Sequence, residues 1–108
     1  MNIKKLEDKF HSALISTVEI ANSHGYYPAY FMKMLSQFGG LATAKHLLAS
    51  NKAQEGLFRL YELKLLRFSM EATVLREEFQ YLFTNDELEI ARQRLVDLGY
   101  SIDDLSCQ

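Results

Sequence analysis

The stretch Thr84–Tyr100, TNDELEIARQRLVDLGY, carries the signals of one complete helix. Thr84 and Glu87 have the spacing of a capping box, in which each side chain binds the backbone N–H of the other residue. Apolar side chains then recur on one face at steps of three and four, namely Leu88, Ala91, Leu95 and Leu98. The glycine and tyrosine that close the stretch fit a Schellman stop. The sequence therefore predicts a helix over Asn85–Leu98.

The same period recurs along the rest of the chain. Helices are predicted over residues 2–24, 28–38, 41–49, 52–64, 70–83 and 85–98. Asn2 and Ser69 are predicted N-caps, and Asn51 with Gln54 has the spacing of a further capping box. Leu65–Phe68 either extends the preceding helix or forms an extended link. Because no segment alternates with a period of two, the predicted fold is all-α, a compact single-domain bundle of five to six helices.

Composition limits the class of protein. The chain has 108 residues, of which 48% are hydrophobic, which suits one domain over residues 1–100 followed by a flexible acidic tail over 101–108. The single cysteine excludes an intramolecular disulfide framework and a cysteine-rich zinc site. No signal-peptide pattern and no apolar run of about 20 residues is present, so we expect a cytoplasmic protein that does not enter a membrane.

Charge is distributed unevenly behind a net charge of −2. Residues 40–68 hold five basic and two acidic side chains, and this is also where a helix, a short turn and a longer helix follow one another. A DNA-binding helix-turn-helix regulator is therefore one alternative. Its phosphate contacts would come from the basic residues Lys45, Lys52, Arg59, Lys64 and Arg67.

The C-terminal third is acidic, with nine acidic and three basic residues over 69–108. A second alternative is therefore a mobile-element inhibitor whose carboxylates imitate phosphates and occupy the basic groove of a nucleic-acid-binding complex. The residues that would carry this role are Glu77, Glu78, Glu87 and Glu89.

An aromatic cluster surrounds Pro28, at the predicted start of the second helix. Its members are Tyr26, Tyr27, Tyr30 and Phe31. Rings at such a junction form a protein-binding surface when they are exposed. In the other interpretation, Tyr27 and Phe31 fill the core where the helix begins.

Catalytic patterns are missing from the sequence. The three histidines lack the spacing of a zinc helix, and His11 and His46 are predicted to lie on exposed helix faces. The acidic pairs are neighbours in sequence, and such neighbours diverge on a helix. Gly39-Gly40 lacks the rest of a phosphate loop. We therefore predict a protein that is not an enzyme and holds no cofactor or metal.

The order of motifs from Tyr27 to Tyr100 resembles a small all-helical bacterial domain of uncharacterised function. The motifs include Phe38-Gly39-Gly40, Gly56-Leu57, Leu60–Leu63, Ser69–Leu75, Leu82–Thr84, Ala91-Arg92, Arg94-Leu95 and Leu98–Tyr100. They are most specific over Glu71–Leu75 and Leu82–Tyr100. That domain occurs alone or fused to restriction-type nucleases in defence-associated proteins, and it offers no catalytic residues to carry over.

The resemblance implies a link to bacterial defence or nucleic-acid metabolism. Together with the missing site chemistry and the aromatic cluster, it favours a non-catalytic interaction or adaptor module that binds a protein partner. The helix over residues 1–25 lies outside the family-like core, 27–100, and is a candidate element for homodimer formation or docking. Ile15 and Ile20 lie off its main apolar stripe and would mark such a surface.

Overall fold

The computed structural model describes residues 2–50 and 53–101, with the side chains of these ranges except those of residues 53 and 54. Its α-helices are α1 (Ile3–Ser23), α2 (Ala29–Phe38), α3 (Gly40–Leu48), α4 (Ala53–Glu62), α5 (Met70–Val74) and α6 (Asn85–Asp97). Two 3₁₀ helices span Leu66–Phe68 and Glu77–Leu82. The described residues contain no strand, and the predicted all-α single-domain bundle is confirmed.

Helix ends follow the predicted caps. Asn2 Oδ1 accepts a hydrogen bond from the Lys5 backbone N–H at 3.2 Å, and the Ser69 hydroxyl accepts one from Ala72 at 3.1 Å. At α6 the capping box is complete: Thr84 Oγ1 accepts from Glu87 N at 3.1 Å, and Glu87 Oε1 accepts from Thr84 N at 2.9 Å. The Asn51–Gln54 capping box and the tail after Ser101 lie outside the described residues.

The core forms where α1 meets α3, α5 and the second 3₁₀ helix. Phe10 of α1 is fully buried and contacts Phe79 and Phe83 edge-to-face, with ring centroids 5.2 and 5.3 Å apart. Leu14 and Val18 continue the buried stripe of α1. Such edge-to-face contacts add to the free energy gained by burying the rings themselves.

The predicted helix over residues 70–83 is wrong, because the chain breaks after α5. Arg76 has an extended backbone, and the Gln80 side chain donates a hydrogen bond to the Leu75 carbonyl at 2.7 Å. This bond replaces a helical backbone donor at the end of α5. The chain then re-enters as the second 3₁₀ helix, which buries Phe79 and Leu82 in the core.

Helices α1 and α3 pack closely at one point. A Cβ at Gly40 would lie only 2.7 Å from His11 Cα, so this approach requires glycine. The contact also corrects the prediction that His11 is exposed: His11 is half-buried, and its Nδ1 is buried with no hydrogen-bond partner. His46, by contrast, is exposed as predicted.

Helices α3 and α4 make few contacts with each other among the described residues. The main contacts of α3 are with α1, α2 and α6, whereas α4 rests chiefly on the first 3₁₀ helix. A helix-turn-helix unit packs its two helices against each other and exposes the second one. Within the described residues, α3 and α4 lack such extensive mutual contact, and an open space lies beside α4.

Candidate functional site

The open space beside α4 is a groove of about 620 Å³, here called the docking groove. One wall is the C-terminal half of α1, the second is the segment Tyr26–Phe31, and the third is α4. Leu47 and Met70 also line it. Its volume lies within the range of ligand pockets, about 300–1,000 Å³.

The predicted aromatic cluster forms the second wall, and its members differ in exposure. Tyr27 is 65% exposed and Tyr30 is also exposed, whereas Phe31 is partly buried against the core. Tyr26 is intermediate. Phe31 therefore fits the interpretation that the cluster fills the core. Tyr27 and Tyr30 fit the interpretation that it forms an exposed surface.

Helix α4 adds a second aromatic pair that sequence reasoning missed. Phe58 is 50% exposed, and its ring centroid lies 5.6 Å from that of Tyr61. The helical spacing of Leu57 and Tyr61 predicts that both side chains face inward, but Tyr61 is exposed and only Leu57 is buried. The prediction fails because α4 buries a narrower stripe of side chains than a helix that is packed on two sides would bury.

Polar groups cluster at the α4 side of the docking groove. Partial burial raises the pKa of the Tyr26 hydroxyl. The Arg59 guanidinium opposes this rise, and the Glu55 carboxylate adds to it. Both charges therefore act on this hydroxyl. A Cβ at Gly56 would lie 3.3 Å from the Tyr26 oxygen, so glycine lets the tyrosine rest close to the helix. Arg59 forms an ion pair with Glu62 at 3.7 Å.

Beside the groove, Glu71 and Arg94 form a buried ion pair that sequence reasoning also missed. Glu71 is 3% exposed and Arg94 is 8% exposed, and their nearest nitrogen and oxygen are 3.0 Å apart. Burial raises the pKa of Glu71, while its hydrogen bonds to its own backbone N–H and to Arg94 act in the opposite direction. The other guanidinium nitrogen donates to the carbonyls of Leu47, Leu48 and Ser50. The pair is therefore a structural bridge, as a buried charge requires partners.

The basic residues proposed for DNA contact are largely engaged within the chain. Lys45 donates to Glu87 Oε1 at 2.7 Å and lies over the Phe83 ring. Arg67 lies over the Phe68 ring, and Arg59 is paired as described above. Lys64 is exposed and has a positive φ of 62°, and Lys52 lies outside the described residues.

The acidic residues proposed for mimicry are also mostly paired. Glu78 contacts Arg76 and Lys9, Glu87 contacts Lys45, and Glu89 contacts Arg92. Partial burial works to raise the pKa of Glu78, but the Arg76 and Lys9 charges outweigh it and hold this pKa below its ordinary value. Glu77 is exposed. Three of the four carboxylates therefore have a basic partner within the chain.

No group of three or more His, Cys, Asp or Glu side chains in the described ranges is placed to hold a metal ion. In the same ranges, no helix combines the length and apolarity needed to span a bilayer. Of the dimer candidates on α1, Ile15 is exposed and Ile20 is half-buried.

Comparison of the chain with protein-family models, curated proteins and solved structures found no match.

Proposed function

We propose that this protein is a non-catalytic interaction module that binds a segment of a partner protein in the docking groove. The observation that carries the proposal is the convergence of exposed aromatic rings from two separate elements on one open groove. Tyr27 comes from the loop before α2, Tyr30 comes from α2 itself, and Phe58 comes from α4. Tyrosine and phenylalanine are enriched in protein interfaces because they bury a large area at a small cost in side-chain entropy.

The groove favours a protein ligand over nucleic acid. Glu55 and Glu62 line it beside a single arginine, Arg59, and carboxylates repel phosphates. Elsewhere, Lys45 and Arg67 make contacts within the chain. Only the family resemblance links the protein to bacterial defence or nucleic-acid metabolism. We propose one of these as the process in which the partner acts.

The experiment is selection of a random-peptide display library on the immobilised full chain, followed by affinity measurement for the selected peptides. Tyr27→Ala and Phe58→Ala should each weaken binding about tenfold or more, because central aromatic residues carry most of the free energy of such interfaces. Tyr81→Ala is the matched control, since Tyr81 is 72% exposed and does not line the groove.

The control should change affinity less than twofold. A library that yields no binder, or peptides that bind the Tyr27→Ala and Phe58→Ala variants as tightly as the original chain, would contradict the proposed function. Low-salt binding of duplex DNA that survives both substitutions would instead favour the helix-turn-helix alternative.

A further inference from the structure

The described residues on the α4 side of the docking groove include two carboxylates and one guanidinium group. Glu55, Arg59 and Glu62 are spaced at i, i+4 and i+7, so they lie along one side of the helix. Arg59 is paired with Glu62, and both side chains are about half exposed. Glu55 is exposed, and within the described ranges it has no ion-pair partner. Among the described residues, one carboxylate at this edge therefore has no basic partner.

The rest of the groove is mainly apolar. Val18 and Ala21 contribute from α1, Leu57 and Phe58 from α4, and Met70 from α5. The described elements present no sheet edge, so a bound segment cannot be added as a strand. A groove walled by helices instead suits a helix that lays its apolar face into the opening.

We infer that the occupant of the docking groove is an amphipathic helix of a partner protein, whose apolar face meets Tyr27 and Phe58 and whose flank carries Lys or Arg toward Glu55 and Glu62. This inference rests on the proposed function and names the chemistry of the partner. The C-terminal segment of this chain does not fit that description, because Asp103 and Asp104 have the same sign as the groove edge.

The test uses three synthetic helical peptides with the same leucine face. Their flank carries lysine, glutamine or glutamate at the same positions, and each is titrated into the full chain by fluorescence anisotropy. The lysine peptide should bind about threefold or more tighter than the glutamine peptide, and the glutamate peptide should bind weakest, because each exposed ion pair contributes modestly. Raising the salt concentration should reduce this difference.

The variant that removes the charge is the double substitution Glu55→Gln and Glu62→Gln, which should abolish the preference for lysine while keeping the glutamine peptide bound. Glu89→Gln is the matched control, because Glu89 forms the same i, i+3 type of ion pair, with Arg92, away from the groove. It should leave the preference unchanged.

The outcomes separate this inference from the proposed function. Equal affinity for the three peptides, with binding still lost in Tyr27→Ala, would overturn the cationic helix and leave the proposed function standing. Failure of all three to bind would also overturn the inference, while the library selection decides the proposed function independently. Displacement of the lysine peptide by duplex DNA would contradict the inference as well.

Discussion

Arg94 joins three parts of the chain through one guanidinium group. It pairs with Glu71 of α5 from its place on α6, and it donates to the carbonyls of Leu47 and Leu48 at the end of α3 and to that of Ser50. The last carbonyls of a helix have no partner within that helix, and a cation there is favourable. Arg94 thus fixes the position of α3 beside the groove.

Replacing Arg94 with alanine should lower the free energy of unfolding by about 3–5 kcal/mol, because it leaves the buried Glu71 carboxylate without its partner. Urea denaturation followed by circular dichroism measures the loss. Arg92→Ala is the control, since the ion pair that Arg92 makes with Glu89 is exposed, and it should cost less than about 1 kcal/mol. Equal losses for the two variants would contradict the bridging role of Arg94.

A second prediction at this scale concerns pH. Partial burial works to raise the pKa of Glu87, but the Lys45 ammonium and the hydrogen bonds to Thr84 outweigh it and hold this pKa below its ordinary value of 4.5. The ionised form therefore contributes stability above pH 4.5, and this contribution is lost as the pH falls through the lowered pKa.

Glu87→Gln should destabilise the protein by about 0.5 kcal/mol at neutral pH, because Lys45 is partly solvated. The substituted amide oxygen can still cap Thr84, so the variant isolates the charge. Denaturation curves of the two proteins recorded from pH 7 to pH 3 should converge at the acidic end. A difference that stays constant or grows toward acid would refute the assignment.

Sequence reasoning works at the residue scale where partners are close in the chain. Thr84 and Glu87 are three residues apart, and their spacing alone predicted the capping box that the structure contains. Glu71 and Arg94 are 23 residues apart, and their pairing depends on how α5 packs against α6. A sequence pattern carries no signal for such a contact, and so the buried pair was not predicted.

At the scale of elements, replacing glycine should have opposite effects on stability in two helices. Gly40 begins α3 where its backbone meets α1, and a Cβ there would lie 2.7 Å from His11 Cα. Gly56 lies within α4, where the nearest atom to a Cβ is the Tyr26 hydroxyl at 3.3 Å. A backbone atom cannot move without shifting the helix, whereas a tyrosine hydroxyl can move by rotation of its side chain.

Gly40→Ala should therefore destabilise the protein by about 1–3 kcal/mol, the cost of overpacking. Gly56→Ala should be neutral or stabilise it by up to about 1 kcal/mol, because alanine favours helix more than glycine does. Thermal unfolding of both variants measures the contrast. A Gly40→Ala protein as stable as Gly56→Ala would mean that α1 and α3 do not approach as closely as described.

The break between α5 and the second 3₁₀ helix shows the limit of periodicity. Val74, Leu75, Phe79 and Leu82 are spaced as on one helix, and the sequence predicted a single helix from them. The Gln80 side chain instead binds the Leu75 carbonyl, and Phe79 meets Phe10. Burial against α1 determines the backbone conformation here. The spacing of the apolar residues is compatible with one continuous helix and also with the observed break.

At the scale of the whole molecule, the fold class could be predicted, but only half of the docking groove. The apolar stripes and caps predicted an all-α single domain, and the aromatic cluster marked Tyr27 as a candidate for an exposed surface. Phe58 could not be assigned, because its exposure follows from the way α4 rests on the first 3₁₀ helix. The groove exists only through that tertiary arrangement.

The central claim is that the docking groove is where this protein binds its partner. The most direct measurement is an NMR titration of the full chain with the tightest peptide from the library selection, following backbone amide and methyl signals. We expect the largest shifts at Val18, Ala21 and Leu57, with little change at Tyr81 or Ile90. Shifts centred on the second 3₁₀ helix or on α6, with the groove signals unchanged, would contradict the account.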